Sequence, residues 1–174
     1  MNRIVVIGPP GAGKTEFANE LGAVLGTPNV FHLDHYFWKP GWTRTSSEER
    51  HLIIETLTQH DTWIIEGNFL ETVDEQISHA DTVIWLNLSL WISLYRVLKR
   101  YFNYIGRERP LIAPGCRDKI TFRFLWSIFV YQYIDAKIIK RKFINRKTPS
   151  LIVLKNPEMV ATYLRAVKTG STSK

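Results

Sequence analysis

Eight consecutive residues, Gly8-Pro9-Pro10-Gly11-Ala12-Gly13-Lys14-Thr15, have the types and spacing needed to hold a polyphosphate. They satisfy G-x-x-x-x-G-K-[ST], and they lie where the motif requires, after the β-branched run Arg3 to Ile7 and before a helical pattern. Gly11 and Gly13 let the backbone curl around a phosphate, with N–H groups from Gly11 to Thr15 converging at a helix N-terminus. Pro9 and Pro10 have no N–H to give, so the cradle begins at or near Gly11. Lys14 supplies a point charge for the β- and γ-phosphates, and the Thr15 hydroxyl is a magnesium ligand. The nucleotide-binding set is Gly8, Gly11, Ala12, Gly13, Lys14, Thr15 and Glu16, and the expected ligands are ATP and Mg²⁺.

Other groups extend the chemistry. Asp34 follows a second short strand, and Glu66 ends a third. Arg96 and Arg100 lie four apart on one helical face, and Arg107 and Arg109 follow in an irregular stretch. His32, His35, His51, His60 and His79 make no metal set, because only His32 and His35 are close in sequence, and they flank the acid Asp34 with no further ligand nearby. Cys116 has no partner for a disulfide, zinc or redox pair and no identifiable base, so it reads as a packed thiol.

Elements that place these groups follow from periodicity. Arg3 to Ile7, Val30 to Leu33, Trp63 to Ile65, Thr82 to Leu88 and Leu151 to Leu154 read as short buried strands. Helices are expected from Lys14 to Leu25, from a Ser46/Glu49 capping box to about His60, near Thr72 to His79, from Ser89 through Arg100, from about Asp118 to Asn145, and from Pro157 onward. Short apolar strands alternating with helices imply an α/β fold, a parallel sheet covered on both faces, with ligands at the carboxyl ends of the strands.

The chain is 174 residues long with 45% hydrophobic residues, enough for one core and a single domain over 1–174. Its net charge of +7 is unevenly spread. Residues 96–147 carry 14 Lys and Arg against Glu108, Asp118 and Asp135, a net of +11, which leaves −4 for the remainder. A localised excess admits nucleic acid or phosphorylated small molecules as partners. No apolar run has the length of a membrane span, the N-terminus lacks signal-peptide anatomy, and a single cysteine suits a reducing setting, so no membrane partner and a cytoplasmic location are expected.

In its P-loop, in His32 to Trp42, in Trp63-Ile64-Ile65-Glu66-Gly67-Asn68-Phe69, in Arg96 to Arg100, in Arg107-Glu108-Arg109-Pro110 with Gly115-Cys116, and in Leu154-Lys155-Asn156-Pro157-Glu158, the chain resembles adenylate-kinase-like P-loop proteins. Within them it is similar to the family described as DNA topology modulation or adenylate kinase-related proteins. The resemblance implies a P-loop NTPase three-layer α/β/α sandwich with five parallel strands in the order 2-3-1-4-5 and a lid insertion at about 101–118. It makes Asp34 the acid/base group for an acceptor hydroxyl, with a turn-capping Asp as the plain alternative. Glu66 becomes the acid that orients magnesium through water, or else a carboxylate paired structurally with Lys14 or Thr15.

By the same resemblance Arg96, Arg100, Arg107 and Arg109 are lid arginines that neutralise phosphate, against a solvated basic face. Asn156 and Pro157 meet the adenine edge. The arginine that clamps a nucleoside monophosphate in adenylate kinases is missing after Gly67, so a nucleotide acceptor is disfavoured. Phe37, Trp38, Trp42 and Phe69 either line an acceptor pocket or pack a substrate-side helix. The function implied is transfer of the γ-phosphate of Mg·ATP to an unidentified acceptor. The alternatives are a nucleotide-dependent DNA-binding regulatory protein using 96–147, or ATP hydrolysis alone. Oligomeric state is not legible.

Overall fold

The structure, a computed structural model, describes residues 1–104, 113–116, 120–143 and 149–170. Its strands are β1 (Arg3–Ile7), β2 (Val30–His32), β3 (Trp38–Lys39), β4 (Thr43–Arg44), β5 (Trp63–Glu66), β6 (Thr82–Leu86) and β7 (Ser150–Leu154). The helices are α1 (Lys14–Leu25), α2 (Leu33–Phe37), α3 (Ser47–Leu57), α4 (Val73–His79), α5 (Leu90–Tyr104), α6 (Phe122–Val130), α7 (Ala136–Phe143) and α8 (Pro157–Lys168).

Five strands form one parallel sheet in the order β2-β5-β1-β6-β7. Counted within the sheet alone, this is second, third, first, fourth, fifth. The chain numbering differs because β3 and β4 make a separate antiparallel hairpin between β2 and α3, which the periodicity does not announce.

Each central strand is apolar on both faces, as a sheet covered by helices on both sides requires. Val5 and Ile7 of β1, Trp63 and Ile65 of β5, and Val83 and Trp85 of β6 enter one core with Phe37, Ile54, Ile77 and Tyr131. Ile4, Val6, Ile64, Ile84 and Leu86 enter the opposite core with Phe17 and Leu21 of α1 and Leu164 and Val167 of α8. These alternating side chains fix the register, since a slip of one residue would exchange the two faces.

Three local results correct the sequence reading. Leu33 belongs to α2, not to the second strand, so Asp34 sits in the first turn of a five-residue helix. Helix α5 continues to Tyr104, so residues 101–104, expected to open the lid, are helical. The helix expected from Asp118 to Asn145 is helical over its described span, but a π turn at Tyr131–Asp135 joins α6 to α7. The wider turn brings Ala136, five residues after Tyr131, onto the buried face in place of Asp135. The Tyr131 hydroxyl there accepts a hydrogen bond from the Trp85 indole at 2.9 Å.

Candidate functional site

Loop Gly8–Gly13 leaves β1 and enters α1 through Gly13, whose φ of 86° a side-chain-bearing residue rarely adopts. Gly11, at φ 83°, is the point of closest approach to α5: a Cβ there would stand 2.4 Å from the Ser93 carbonyl oxygen and 2.9 Å from Val97. The loop is therefore packed from behind by α5 and by the end of β6, where a Cβ on Gly8 would meet the Leu86 carbonyl at 2.7 Å. An internal bond from Ala12 N–H to the Pro9 carbonyl, 3.1 Å, tightens the curl.

Lys14 folds back so that Nζ donates to the Pro9 carbonyl at 3.2 Å. Burial pushes its pKa down, opposed by the carboxylates of Glu66 and Asp34 and reinforced by the Arg100 charge. Lys14, Asp34, Glu66 and Arg100 are thus electrostatic neighbours. Beside Lys14, Thr15 Oγ1 donates to Glu66 Oε1 at 2.9 Å, which ties the first turn of α1 to the end of β5.

Glu66 is 4% exposed, and burial alone would raise its pKa. The hydrogen bond and charge of His32, the Lys14 charge and the Thr15 hydroxyl outweigh burial and hold it below the ordinary carboxylate range. His32 Nδ1 lies 2.9 Å from Glu66 Oε1, and Nε2 lies 3.1 Å from Asn19 Oδ1. A chain Asn19–His32–Glu66–Thr15 therefore orders the acid beside the P-loop. Sequence reasoning set His32 aside as a non-ligand and passed over Asn19. The signal available was that His32 closes the strand adjacent to β5 and pairs with Glu66 in register.

The basic residues divide. Arg96 turns to the loop, donating from Nη1 to the Ala12 carbonyl at 3.0 Å, and Arg100 lies 6.0 Å from the Phe124 ring centroid as well as near Lys14. Arg107 and Arg109 lie outside the described residues, as does most of the expected lid. Its distal part, Ala113–Cys116, docks on the β3–β4 hairpin: Gly41 N–H donates to the Gly115 carbonyl at 3.2 Å, and the buried Cys116 thiol donates to the Lys39 carbonyl at 3.3 Å. Asn156 caps α8, its Oδ1 accepting from Met159 N–H at 2.8 Å, and Pro157 is the first residue of that helix. Glu16 is exposed in the first turn of α1.

On the acceptor side Asp34 is exposed, and its Oδ1 accepts from the Trp38 indole at 3.3 Å. Phe37 is fully buried and meets Phe69 edge-on at 4.7 Å, so it belongs to the core and lines no pocket. Trp38 and Trp42 are half-buried and T-shaped at 5.4 Å. Arg44, which carried no sequence signal, lies over both Trp38 and Phe69.

For a divalent cation, the Thr15 hydroxyl and the Glu66 carboxylate are the hard oxygen donors that Mg²⁺ prefers, and they are already joined. Among the described residues no cluster of three or more His, Cys, Asp or Glu could hold a metal by itself, so such an ion would also need phosphate oxygens and water. No helix of the described residues is long and apolar enough to cross a membrane.

No protein-family model matches the chain, and no curated protein sequence does. Solved structures match over nearly the full length. A shikimate kinase from Acinetobacter baumannii in complex with shikimate superposes with a TM-score of 0.65 at 14% identity, covering 99% of this chain and 96% of the other. A gluconokinase from Sinorhizobium meliloti 1021 gives 0.54 at 14%, covering 98% and 91%. A deoxyadenosine kinase from M. mycoides with dATP bound gives 0.51 at 15%, covering 98% and 99%. These likenesses do not support membership of the DNA topology modulation family or the nucleic-acid reading; what the chain shares with them is the fold of P-loop kinases, a five-stranded parallel sheet flanked by helices with a phosphate loop after the first strand.

Proposed function

We propose that the protein is an ATP-dependent phosphotransferase that moves the γ-phosphate of Mg·ATP to a hydroxyl of a small acceptor. The observation that carries this reading is the convergence of Lys14, Thr15, Glu66 and Asp34 at the carboxyl ends of β1, β2 and β5, where both Glu66 and Asp34 act on the Lys14 charge. The neighbouring folds are those of kinases, which agrees with the reading.

In this mechanism the loop N–H groups and Lys14 hold the β- and γ-phosphates at the N-terminus of α1. Thr15 and Glu66 would hold Mg²⁺, which when bound would supply charge neutralisation of the phosphate oxygens. Asp34 accepts the acceptor's hydroxyl proton as the new O–P bond forms and the bond to the β-phosphate oxygen breaks, releasing ADP. Arg96 and Arg100 add positive charge from α5, where negative charge develops on the transferring group. Arg107 and Arg109 are assigned the same role from the lid, and Asn156 and Pro157 the adenine edge.

The test is ADP formation from Mg·ATP over a panel of nucleosides, sugars and small hydroxy acids. Acceptor-dependent ADP release in the wild type that falls about a hundredfold or more in Asp34→Asn supports the assignment. Undiminished release in that variant removes Asp34 from the base role.

A further inference from the structure

Beside Asp34 the β3–β4 hairpin builds a wall whose chemistry is not that of the phosphate loop. Trp38 and Arg44 are paired across the hairpin. The Arg44 guanidinium lies 5.8 Å from the Trp38 ring centroid and 5.9 Å from that of Phe69, so both rings attract its charge. Trp38 also reaches the other way, donating its indole N–H to Asp34. Asp34 and Arg44 therefore meet the same indole, one at its N–H edge and the other over its ring. Trp42 supports Trp38 from the side at φ 63°, the one positive φ among the described non-glycine residues. A bulky residue in that conformation is strained, which the rest of the hairpin must offset.

The neighbouring cations are already engaged. Lys39 pairs with Glu49 at 2.9 Å, and the buried Arg50 grips both oxygens of Glu71 at 2.9 and 2.7 Å. Glu71 is the acid whose charge Arg44 also feels, yet its carboxylate is bound by Arg50 and Ser47. Arg44 is exposed and forms no ion pair among the described residues. A guanidinium attracted to aromatic rings by its charge keeps its N–H groups for a carboxylate or phosphate. An aromatic site filled by the protein's own cation also repels a cationic ligand.

Resting on the kinase reading above, we infer that Arg44 selects the acceptor: a hydroxyl compound with an apolar or flat body beside Trp38 and Trp42, presenting its hydroxyl to Asp34 and a carboxylate or phosphate to Arg44. Arg44 is thus a specificity determinant.

The test is equilibrium binding of three matched probes, 4-(hydroxymethyl)benzoate, its primary amide and 4-(hydroxymethyl)phenyl phosphate, to the wild type, Arg44→Gln and Arg44→Lys, followed by tryptophan fluorescence. Nucleotide binding and thermal melts are recorded on the same samples. The wild type is expected to bind one or both anions at least about tenfold tighter than the amide, the tighter anion identifying the group selected. That preference should vanish in Arg44→Gln and survive in reduced form in Arg44→Lys, with melting unchanged. Equal binding of acid, phosphate and amide by the wild type, or an anion preference that persists in Arg44→Gln, overturns the inference. Failure of the wild type to bind ATP overturns instead the kinase reading on which it rests.

Discussion

Thr15 and Glu66 are 51 positions apart in the chain and meet at 2.9 Å, hydroxyl to carboxylate. Parallel pairing of β1 with β5 brings them together, placing Val6 opposite Glu66 so that the loop after β1 curls over the end of β5. The contact converts a generic phosphate loop into a site with an acid at its floor.

Removing that acid should be expensive. Glu66→Ala strands His32 and the Thr15 hydroxyl in a buried setting, and a loss of about 3 kcal/mol of folding stability is expected from urea unfolding at pH 7. Glu66→Gln, which keeps an oxygen acceptor for Thr15, should lose less.

Acidification probes the same group. The folded pKa of Glu66 lies below its unfolded value near 4.5, so the unfolded state binds the proton first and the stabilisation is present at higher pH. It should be lost as pH falls from about 4.5 through the folded value. Unfolding free energies measured between pH 7 and 3 should therefore fall more steeply for the wild type than for Glu66→Gln; parallel curves would remove the charge from the account.

Gly11→Ala tests whether α5 backs the loop. A Cβ at φ 83° and 2.4 Å from the Ser93 carbonyl cannot be accepted without moving backbone. About 2 kcal/mol of destabilisation and loss of ATP binding are expected from thermal melts and nucleotide titration. Wild-type melting would mean that the loop and α5 move independently.

Arg96→Met removes a guanidinium bonded to the Ala12 carbonyl without emptying a core. Turnover should fall about a hundredfold, an effect of roughly 3 kcal/mol on the barrier, with ATP affinity changed much less. An equal loss in affinity and rate would assign Arg96 to ground-state binding.

Much of this arrangement was legible in the sequence. The glycines, Lys14 and Thr15 announce themselves by spacing, the alternating apolar strands imply a sheet covered on both faces, and the Ser46/Glu49 box does cap α3, with both its hydrogen bonds formed. Hidden features depend on pairings between distant segments. His32 looked isolated because its partners, Asn19 and Glu66, lie on a neighbouring helix and strand. Phe37 and Trp38 were indistinguishable as adjacent aromatics, yet one fills the core and the other faces Asp34, because α2 ends between them. Arg44 had no signal, since a two-residue strand is too short for periodicity to register.

Phosphorus NMR of Mg·ATP incubated with the protein and pooled small hydroxyl acceptors, one of them anionic, tests the central claim most directly. A new phosphomonoester resonance growing with ADP is expected, absent without acceptor and absent in Lys14→Met. Release of inorganic phosphate alone, or unchanged ATP across every pool, would contradict it.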